Sequence, residues 1–249
     1  MPKKSSIYTL STSICGALHK AKNLPCQDYC FAKKTKNKLV AIAADGAGSA
    51  KYSKIGARII CETLCNILIR SNMQNIRTEV IKAIECARQK LLFHRYNKTK
   101  NSRGLLDFSA TIVGVFCYKN QGIFFHIGDG AAIAYQKDDY HNFVISEPEN
   151  GAFSCETYFF TMPDWQHNLR FTEFNEKNRI LLITDGITGF VFSDDFFNIQ
   201  RKFLIPILEY LEQEPRKTYA EQALKNTLND KKAQRINPDD KTFFWAKLP

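Results

Sequence analysis

The chain has no apolar stretch long enough to cross a lipid bilayer. Its longest uncharged apolar run, residues 108–118, is eleven residues long, whereas a transmembrane helix needs about 20. Polar residues also interrupt positions 5–13, so the amino terminus lacks the continuous apolar core of a signal peptide. We therefore expect a cytoplasmic protein with no membrane partner.

Cysteine patterns that bind zinc are absent as well. The eight cysteines include no Cys-x-x-Cys pair, and no histidine stands at zinc-ligand spacing from them. Most have apolar neighbours, and Cys61 and Cys65 are four residues apart on a helical apolar stripe. We expect reduced cysteines that pack in the core, with no structural zinc site.

The composition is that of a folded protein with a basic surface. Apolar residues make up 44% of the 249 residues and charged residues 24%, which argues against intrinsic disorder. The formal net charge of +10 favours anionic partners such as nucleic acid, phosphorylated protein or an acidic membrane surface. The length fits a single domain over residues 1–249.

Helical and extended patterns occur in groups along the chain. Apolar residues recur at helical spacing over 54–70 and 76–92, and short connections between the β-rich runs in the middle predict antiparallel pairing. Residues 137–178 show no sustained period and are predicted to form an irregular flap. The grouping predicts an α+β fold, with antiparallel sheets covered by helices. The other predicted strands are 39–44, 110–118, 123–127, 131–135, 179–184 and 241–248, and the other predicted helices are 203–211 and 219–228.

Aspartates directly follow three of the apolar strand runs. Asp-Gly pairs begin at Asp45, Asp129 and Asp185, more often than composition alone predicts. A hairpin turn explains such a pair equally well at Asp129, because another predicted strand follows at once. No returning strand follows Asp45 or Asp185, so we interpret those two as functional residues. Three further aspartates stand out: the Asp239-Asp240 pair lies just before the last predicted strand, and Asp28 follows Pro25-Cys26-Gln27.

Converging strand ends would place several carboxylates in one small volume. Two like charges 4 Å apart repel by about 4 kcal/mol at an effective dielectric constant of 20. No Lys or Arg adjoins Asp45 or Asp185 within the strand runs, so bound cations are the natural counter-charge. Oxygen ligands favour Mg²⁺ or Mn²⁺, and a pair of such ions can activate water for attack on phosphorus. The residues thus predict metal-dependent hydrolysis of phosphate esters.

Six short motifs occur in order along the chain: Gln27-Asp28, Asp45-Gly46-Ala47-Gly48, Phe108-Ser109-Ala110-Thr111, Ile127-Gly128-Asp129, Thr184-Asp185-Gly186 and Asp239-Asp240. The ordered set resembles the metal-dependent serine/threonine protein phosphatases of the 2C type, in a compact bacterial form, over nearly the whole chain. This resemblance implies a four-layer α-β-β-α sandwich, with two antiparallel β-sheets flanked by helices and a flap beside the site.

The resemblance also implies a site for two Mg²⁺ or Mn²⁺ ions. In that reading Asp45 bridges both ions, and Asp185 and Asp239 complete the ligands of the first ion. The Gly46 carbonyl and Asp28 face the second ion. We expect Asp45, Asp185 and Asp239 to be catalytic.

Other positions match motifs with different roles. Asp129, together with Asp185, matches the place of a third and weaker ion. Ser109 and Thr111 match a strand motif that supports the site. His126, on an apolar strand, is expected to be a core histidine.

Three features depart from the family's pattern. Many members carry an arginine that clamps the substrate phosphate, but residues 20–24 contain none, and His19 or Lys22 is the expected substitute. Either would hold phosphate less well than a bidentate arginine. Gln27 stands where some members have a glutamate ligand, and Ala47 where some have a histidine proposed as general acid.

We expect a phosphatase that hydrolyses phosphoserine and phosphothreonine esters by direct attack of a metal-bridging water. Its partners would be a phosphorylated protein and a cognate serine/threonine kinase, and the chain would be a monomer. Two alternatives stay open: a catalytically weakened phosphatase-like protein that binds phosphoprotein, suggested by the departures, and a basic nucleic-acid-binding protein. Scattered cations and the lack of a recognition motif argue against nucleic acid.

Overall fold

Two five-stranded antiparallel sheets and seven α-helices make up the described part of the chain, residues 6–98, 104–149, 157–193 and 198–249 of a computed structural model. The strands are β1 (Tyr8–Ile14), β2 (Tyr29–Lys34), β3 (Lys38–Ala44), β4 (Ile112–Tyr118), β5 (Gln121–Ile127), β6 (Ala131–Gln136), β7 (Asp139–Ser146), β8 (Arg170–Asn175), β9 (Arg179–Ile183) and β10 (Lys241–Lys247). The helices are α1 (Ala17–Ala21), α2 (Ser53–Leu68), α3 (Ile76–Lys98), α4 (Asp185–Val191), α5 (Arg201–Gln213), α6 (Lys217–Leu228) and α7 (Lys231–Ile236).

Each sheet is antiparallel throughout. The first sheet has the order β1-β10-β9-β6-β7, and the second has the order β2-β3-β4-β5-β8. Tyr29 at the start of β2 pairs with Ala44 at the end of β3. Phe243 near the start of β10 likewise pairs with Ile183 at the end of β9. The beginnings of β2 and β10 therefore lie beside the ends of their neighbouring strands.

The two sheets pack face to face, with helices on both outer faces. Side chains alternate along a strand: in β3, Leu39, Ala41 and Ala43 join the cluster between the sheets, while Val40 and Ile42 pack under α2 and α3. Helices α4, α5 and α6 cover the first sheet in the same way. Because both faces of each sheet are buried, the central strands are apolar throughout, and the predicted α-β-β-α sandwich is confirmed.

The connection between β5 and β6 corrects one prediction. The sequence predicted that 123–127 and 131–135 pair as neighbours, but β5 lies in the second sheet and β6 in the first. Gly128 has a φ of +111°, a backbone conformation that residues other than glycine rarely adopt. The chain uses it to cross from one sheet to the other, so Asp129 lies on a crossing segment and not in a hairpin turn.

The segment predicted as an irregular flap contains two strands, β7 and β8. Residues 150–156 of that segment lie outside the described residues. Phe160 and Trp165 are buried in the core beside the second sheet. Arg88 of α3 donates hydrogen bonds to the carbonyls of Phe160 at 2.6 Å and Met162 at 3.0 Å. The aromatic residues Phe160 and Trp165 therefore pack into the structure.

Seven of the eight cysteines lie in the described part and are unpaired. Cys61, Cys65 and Cys117 are buried, as predicted for core cysteines, and Cys155 lies outside the described residues. Among the described residues, no helix has the length and apolar character needed to cross a membrane.

Leu182, fully buried between the sheets, provides a test of this packing. Leu182→Ala should lower the free energy of unfolding by about 3 kcal/mol, because it leaves a cavity between two sheets that cannot close over it. Urea denaturation measures this change. Leu92→Ala, at a position 37% exposed on α3, is the matched control and should cost under about 1 kcal/mol. Equal losses in both variants would contradict the described layering.

Candidate metal centre

Four aspartates from separate strand ends line one open cavity. Asp45 follows β3, Asp129 follows β5, Asp185 follows β9 and Asp239 precedes β10. The cavity has a volume of about 640 Å³. Carboxylate oxygens of Asp45, Asp129 and Asp185 lie within 4.8 Å of one another. The expected convergence of the strand ends is therefore observed.

Asp28 is buried next to this group and does not line the cavity. It precedes β2, whose first residue, Tyr29, pairs with Ala44, so the antiparallel register places Asp28 beside Asp45. Its side chain is 4% exposed. Its Oδ2 accepts a hydrogen bond of 2.8 Å from the Thr184 hydroxyl. Asp28 is thus tied to the segment that carries Asp185.

Backbone contacts fix the position of Asp45. Its amide donates to the Thr111 hydroxyl at 2.9 Å, and the Thr111 amide donates to the Asp45 carbonyl at 2.8 Å. One turn further, the Ala47 amide donates to the Ser109 carbonyl at 3.0 Å. The supporting role expected for Ser109 and Thr111 is confirmed.

Gly46 occupies a place where only glycine fits. A Cβ atom there would lie 2.8 Å from the Gln27 carbonyl oxygen and 2.9 Å from Cβ of Ser53, closer than real Cβ contacts. The absence of a side chain lets the segment after Asp45 pass against the segment that carries Asp28.

Asp240 anchors the loop that leads to Asp28. Its two carboxylate oxygens accept hydrogen bonds of 2.6 Å from the Gly16 and Gln27 amides, and Nδ1 of His19 lies 2.8 Å from Oδ2. The side chain is 1% exposed. One buried carboxylate thus holds both ends of the segment between β1 and β2, a role that the sequence did not indicate.

The structure does not bring the two expected phosphate-binding residues into the cavity. The side chain of His19 faces Asp240, and Lys22 is exposed at the end of α1. Neither is among the described residues that line the cavity.

Two threonines of the site were missed by sequence reasoning. The Thr157 hydroxyl donates to Oδ2 of Asp129 at 2.6 Å, and Thr184 donates to Asp28. Thr184 directly precedes Asp185, so its place in the sequence could have indicated a role at the site. Thr157 is 28 residues from Asp129 in a stretch without periodicity, so no local pattern could have identified it.

His126 is a core residue, as predicted. It is fully buried, and its Nδ1 lies 3.0 Å from the Ser146 hydroxyl. Burial, followed by the charge of Arg170, holds the pKa of His126 well below its usual value, which favours a neutral structural imidazole.

Burial and mutual repulsion raise the pKa values of the carboxyl groups. Burial raises the pKa of Asp28 to about 7. Burial and the neighbouring Asp28 charge raise the pKa of Asp45, while burial and the Asp45 charge raise that of Asp185. Burial also raises the pKa of Asp129. The buried Lys241 ammonium donates hydrogen bonds to the backbone carbonyls of Asn237 and Asp239 in the preceding loop. No Lys or Arg is found among the described residues that line the cavity.

The oxygen atoms of this group suit a hard divalent cation. Oδ1 of Asp28, Asp129 and Asp185 and Oε1 of Gln27 are buried without a hydrogen-bond donor among the described residues. Buried acceptors without donors are uncommon in folded proteins. Oxygen ligands of this kind are those that Mg²⁺ and Mn²⁺ prefer, so the residues present fit the implied metal.

Comparison with known proteins agrees with this geometry. The family model for protein phosphatase 2C matches residues 15–229. The chain therefore belongs to the protein phosphatase 2C family and is a serine/threonine protein phosphatase. The family is metal-dependent. No curated protein matches the chain.

Solved structures of phosphatases share the fold. The serine/threonine phosphatase of S. agalactiae has a TM-score of 0.70 at 13% identity, over 98% of this chain and 100% of that chain. Stp1, a serine/threonine phosphatase from Staphylococcus aureus, has a TM-score of 0.66 at 14% identity, over 98% and 96%. RsbX in complex with magnesium has a TM-score of 0.60 at 16% identity, over 98% and 96%. At these identities the likeness establishes the fold.

The raised carboxyl pKa values predict how the stability of the metal-free protein depends on pH. The folded pKa of Asp28, about 7, is above its ordinary value of 3.8, so the folded state binds protons more tightly than the unfolded state. The free energy of unfolding should therefore fall as the pH rises from about 5 to 7.5. Thermal unfolding in EDTA should show a Tm at least about 2 °C lower at the higher pH.

Two comparisons identify the source of this trend. Asp28→Asn should weaken it, whereas Asp138→Asn, at an exposed turn, should leave it unchanged. A Tm in EDTA that rises over this pH range would contradict the described crowding of carboxylates.

Proposed function

We propose that the acidic cavity hydrolyses phosphoserine and phosphothreonine esters of proteins. The observation that carries this proposal is the convergence of Asp45, Asp129 and Asp185, with carboxylate oxygens within 4.8 Å of one another, in an open cavity that Asp239 also lines. Such a group favours cations at its centre and, through them, the anionic phosphoryl group of a substrate. Nothing in the comparisons favours the phosphoprotein-binding or nucleic-acid-binding alternatives.

We assign two Mg²⁺ or Mn²⁺ ions to this group. Asp45 would contact both ions, Asp185 and Asp239 would hold the first, and Asp28 and the Gly46 carbonyl would hold the second. When bound, the ions supply positive charge that lowers the pKa of a water and stabilises the phosphoryl group during in-line attack. The magnesium in the RsbX structure supports this choice of metal.

Asp129 is proposed to hold a third and weaker ion together with Asp185. The Thr157 hydroxyl occupies Oδ2 of Asp129, while Oδ1 has no hydrogen-bond donor among the described residues. One oxygen of Asp129 is therefore oriented by the protein and the other is available to an ion.

The side chains of the protein act mainly by positioning the aspartates, and less by transferring protons. Thr111 fixes the backbone of Asp45, and Thr184 orients the Asp28 carboxylate. No histidine is found among the described residues that line the cavity, so we infer that a water protonates the departing alkoxide. Because Asp240 contacts His19 and Lys22 lies outside the cavity, we infer that the bound ions, and neither of these two side chains, hold the substrate phosphate.

The remaining partners follow from the chemistry. A phosphorylated protein requires a serine/threonine kinase to install the phosphate, and we infer that such a kinase is the functional counterpart of this phosphatase. Seven unpaired cysteines support a reducing compartment, the cytoplasm. We also propose that the protein acts as a monomer.

Removal of single carboxylates tests the proposed chemistry. Asp45→Asn and Asp185→Asn should each lower kcat/KM in MnCl₂ by at least about 100-fold, because each removes charge that holds the ions. Turnover of p-nitrophenyl phosphate and of a phosphothreonine peptide measures the loss. Asp138→Asn, at a turn between β6 and β7, is the matched control and should keep full activity. Full activity in either cavity variant, or no metal-dependent turnover in the parent protein, would overturn the proposal.

Metal stoichiometry tests the separate role of Asp129. Titration calorimetry with MnCl₂ should detect two ions and a weaker third in the parent protein. Asp129→Asn should remove the weakest site and leave the other two, because Asp129 is assigned to the third ion alone. Loss of all binding in that variant would show that Asp129 belongs to the main pair of sites.

A further inference from the structure

A cluster of exposed cations lies beside the acidic cavity. It comes from two segments far apart in sequence, residues 17–24 around α1 and residues 229–236 around α7. We call this surface the basic patch. It consists of Lys20, Lys22, Lys231, Lys232 and Arg235, all exposed.

Hydrogen bonds join the two segments into one surface. The Ala17 amide donates to Oε1 of Gln234 at 2.9 Å, and Nζ of Lys20 donates to Oδ1 of Asn229 at 2.8 Å. Helices α1 and α7 are therefore neighbours, and their cations share one surface of the molecule.

The charge of the basic patch is almost unopposed within these two segments. Five Lys and Arg residues stand against one acidic residue, Asp230. The Asp230 carboxylate accepts a hydrogen bond of 2.8 Å from the Lys232 amide and caps α7. The patch therefore attracts anionic groups, and attraction of this kind is screened by salt.

The basic patch is close to the cavity. Arg235 is four residues from Asp239, which lines the cavity, so an extended chain between them spans at most about 14 Å. The Leu18 amide donates to the Pro238 carbonyl at 3.1 Å, which holds α1 against the same connection. An extended peptide rises about 3.3 Å per residue, so side chains about four residues from a phosphorylated residue in the cavity reach the patch.

Apolar side chains lie among these cations. Leu18 is 50% exposed, Leu24 is 40% exposed and Ile236 is 70% exposed. Large apolar side chains beside cations suit a peptide that carries both acidic and apolar residues. A uniform polyanion such as duplex DNA would leave these three side chains without a matching partner.

We propose that the basic patch binds acidic residues that flank the phosphorylated residue of the substrate protein. This inference rests on the proposed function and specifies its substrate class: phosphoproteins whose phosphorylated serine or threonine lies in an acidic segment with an apolar residue. The contact supplies positive charge outside a cavity that itself contains acidic groups.

The test compares two triple variants that remove equal charge. The patch variant carries Lys231→Gln, Lys232→Gln and Arg235→Gln, and it removes the three positive charges that α7 adds to the basic patch. Lys36→Gln with Lys119→Gln and Lys137→Gln is the control, because these lysines lie in turns at the opposite end of the sheets from the aspartates. Activity is measured on p-nitrophenyl phosphate and on two phosphothreonine peptides that differ only in Glu or Gln flanks. Fluorescence anisotropy of the labelled Glu-flanked peptide measures binding independently of turnover.

The parent protein should prefer the Glu-flanked peptide, and the patch variant should lower kcat/KM for it by about tenfold through KM. Turnover of the Gln-flanked peptide and of p-nitrophenyl phosphate should stay unchanged, as should every activity of the control variant. The preference should fade in 0.5 M NaCl.

Three results would overturn the proposed role of the basic patch. The first is equal binding of the Glu-flanked peptide by both triple variants in the anisotropy measurement. The second is an equal loss of activity on all three substrates, and the third is patch-dependent binding that is tighter for duplex DNA or phosphatidylserine vesicles than for the peptide. Absence of turnover on every substrate would instead contradict the proposed function, and the anisotropy comparison would still decide on the patch.

Discussion

Repulsion among carboxylates held at one end of two packed sheets is the constraint on which this structure depends. Asp45, Asp129 and Asp185 approach within 4.8 Å, a spacing at which like charges cost several kcal/mol in a partly desolvated site. The surrounding fold is rigid enough to hold the carboxylates together against this repulsion. Both sheets are buried on their two faces, so the strand ends cannot move apart without opening a core.

Neutral hydrogen bonds, more than protein cations, keep the acidic groups in place. The hydroxyls of Thr157 and Thr184 donate hydrogen bonds to the carboxylates of Asp129 and Asp28. The Thr111 hydroxyl accepts a hydrogen bond from the Asp45 amide. None of the three threonines adds charge to the site. Asp240 is held by two backbone amides and therefore organises the loop before β2 without entering the cavity. This arrangement leaves the cavity negative, which suits a site that takes its positive charge from ions in solution.

Much of this could be predicted from the sequence, because the signals are local. The apolar runs of β3 and β9 end in Asp45 and Asp185, and that pattern marked both as functional residues, while the family resemblance implied that their carboxylates meet in one metal site. The crossing at Gly128 was predicted wrongly as a hairpin, since a short Gly-Asp-Gly connection is compatible with either geometry. The contact of Thr157 with Asp129 and the anchoring by Asp240 join distant segments, and no periodicity in one chain encodes such pairs.

The position of β10 has a consequence for how the molecule is made. Among the described strands β10 comes last in the chain, yet it lies between β1 and β9 inside the first sheet. A nascent chain that has not yet released β10 from the ribosome leaves the hydrogen-bonding edges of β1 and β9 unpaired and lacks Asp239 in place. The acidic cavity is therefore complete only after β10 has inserted between two strands that were made earlier.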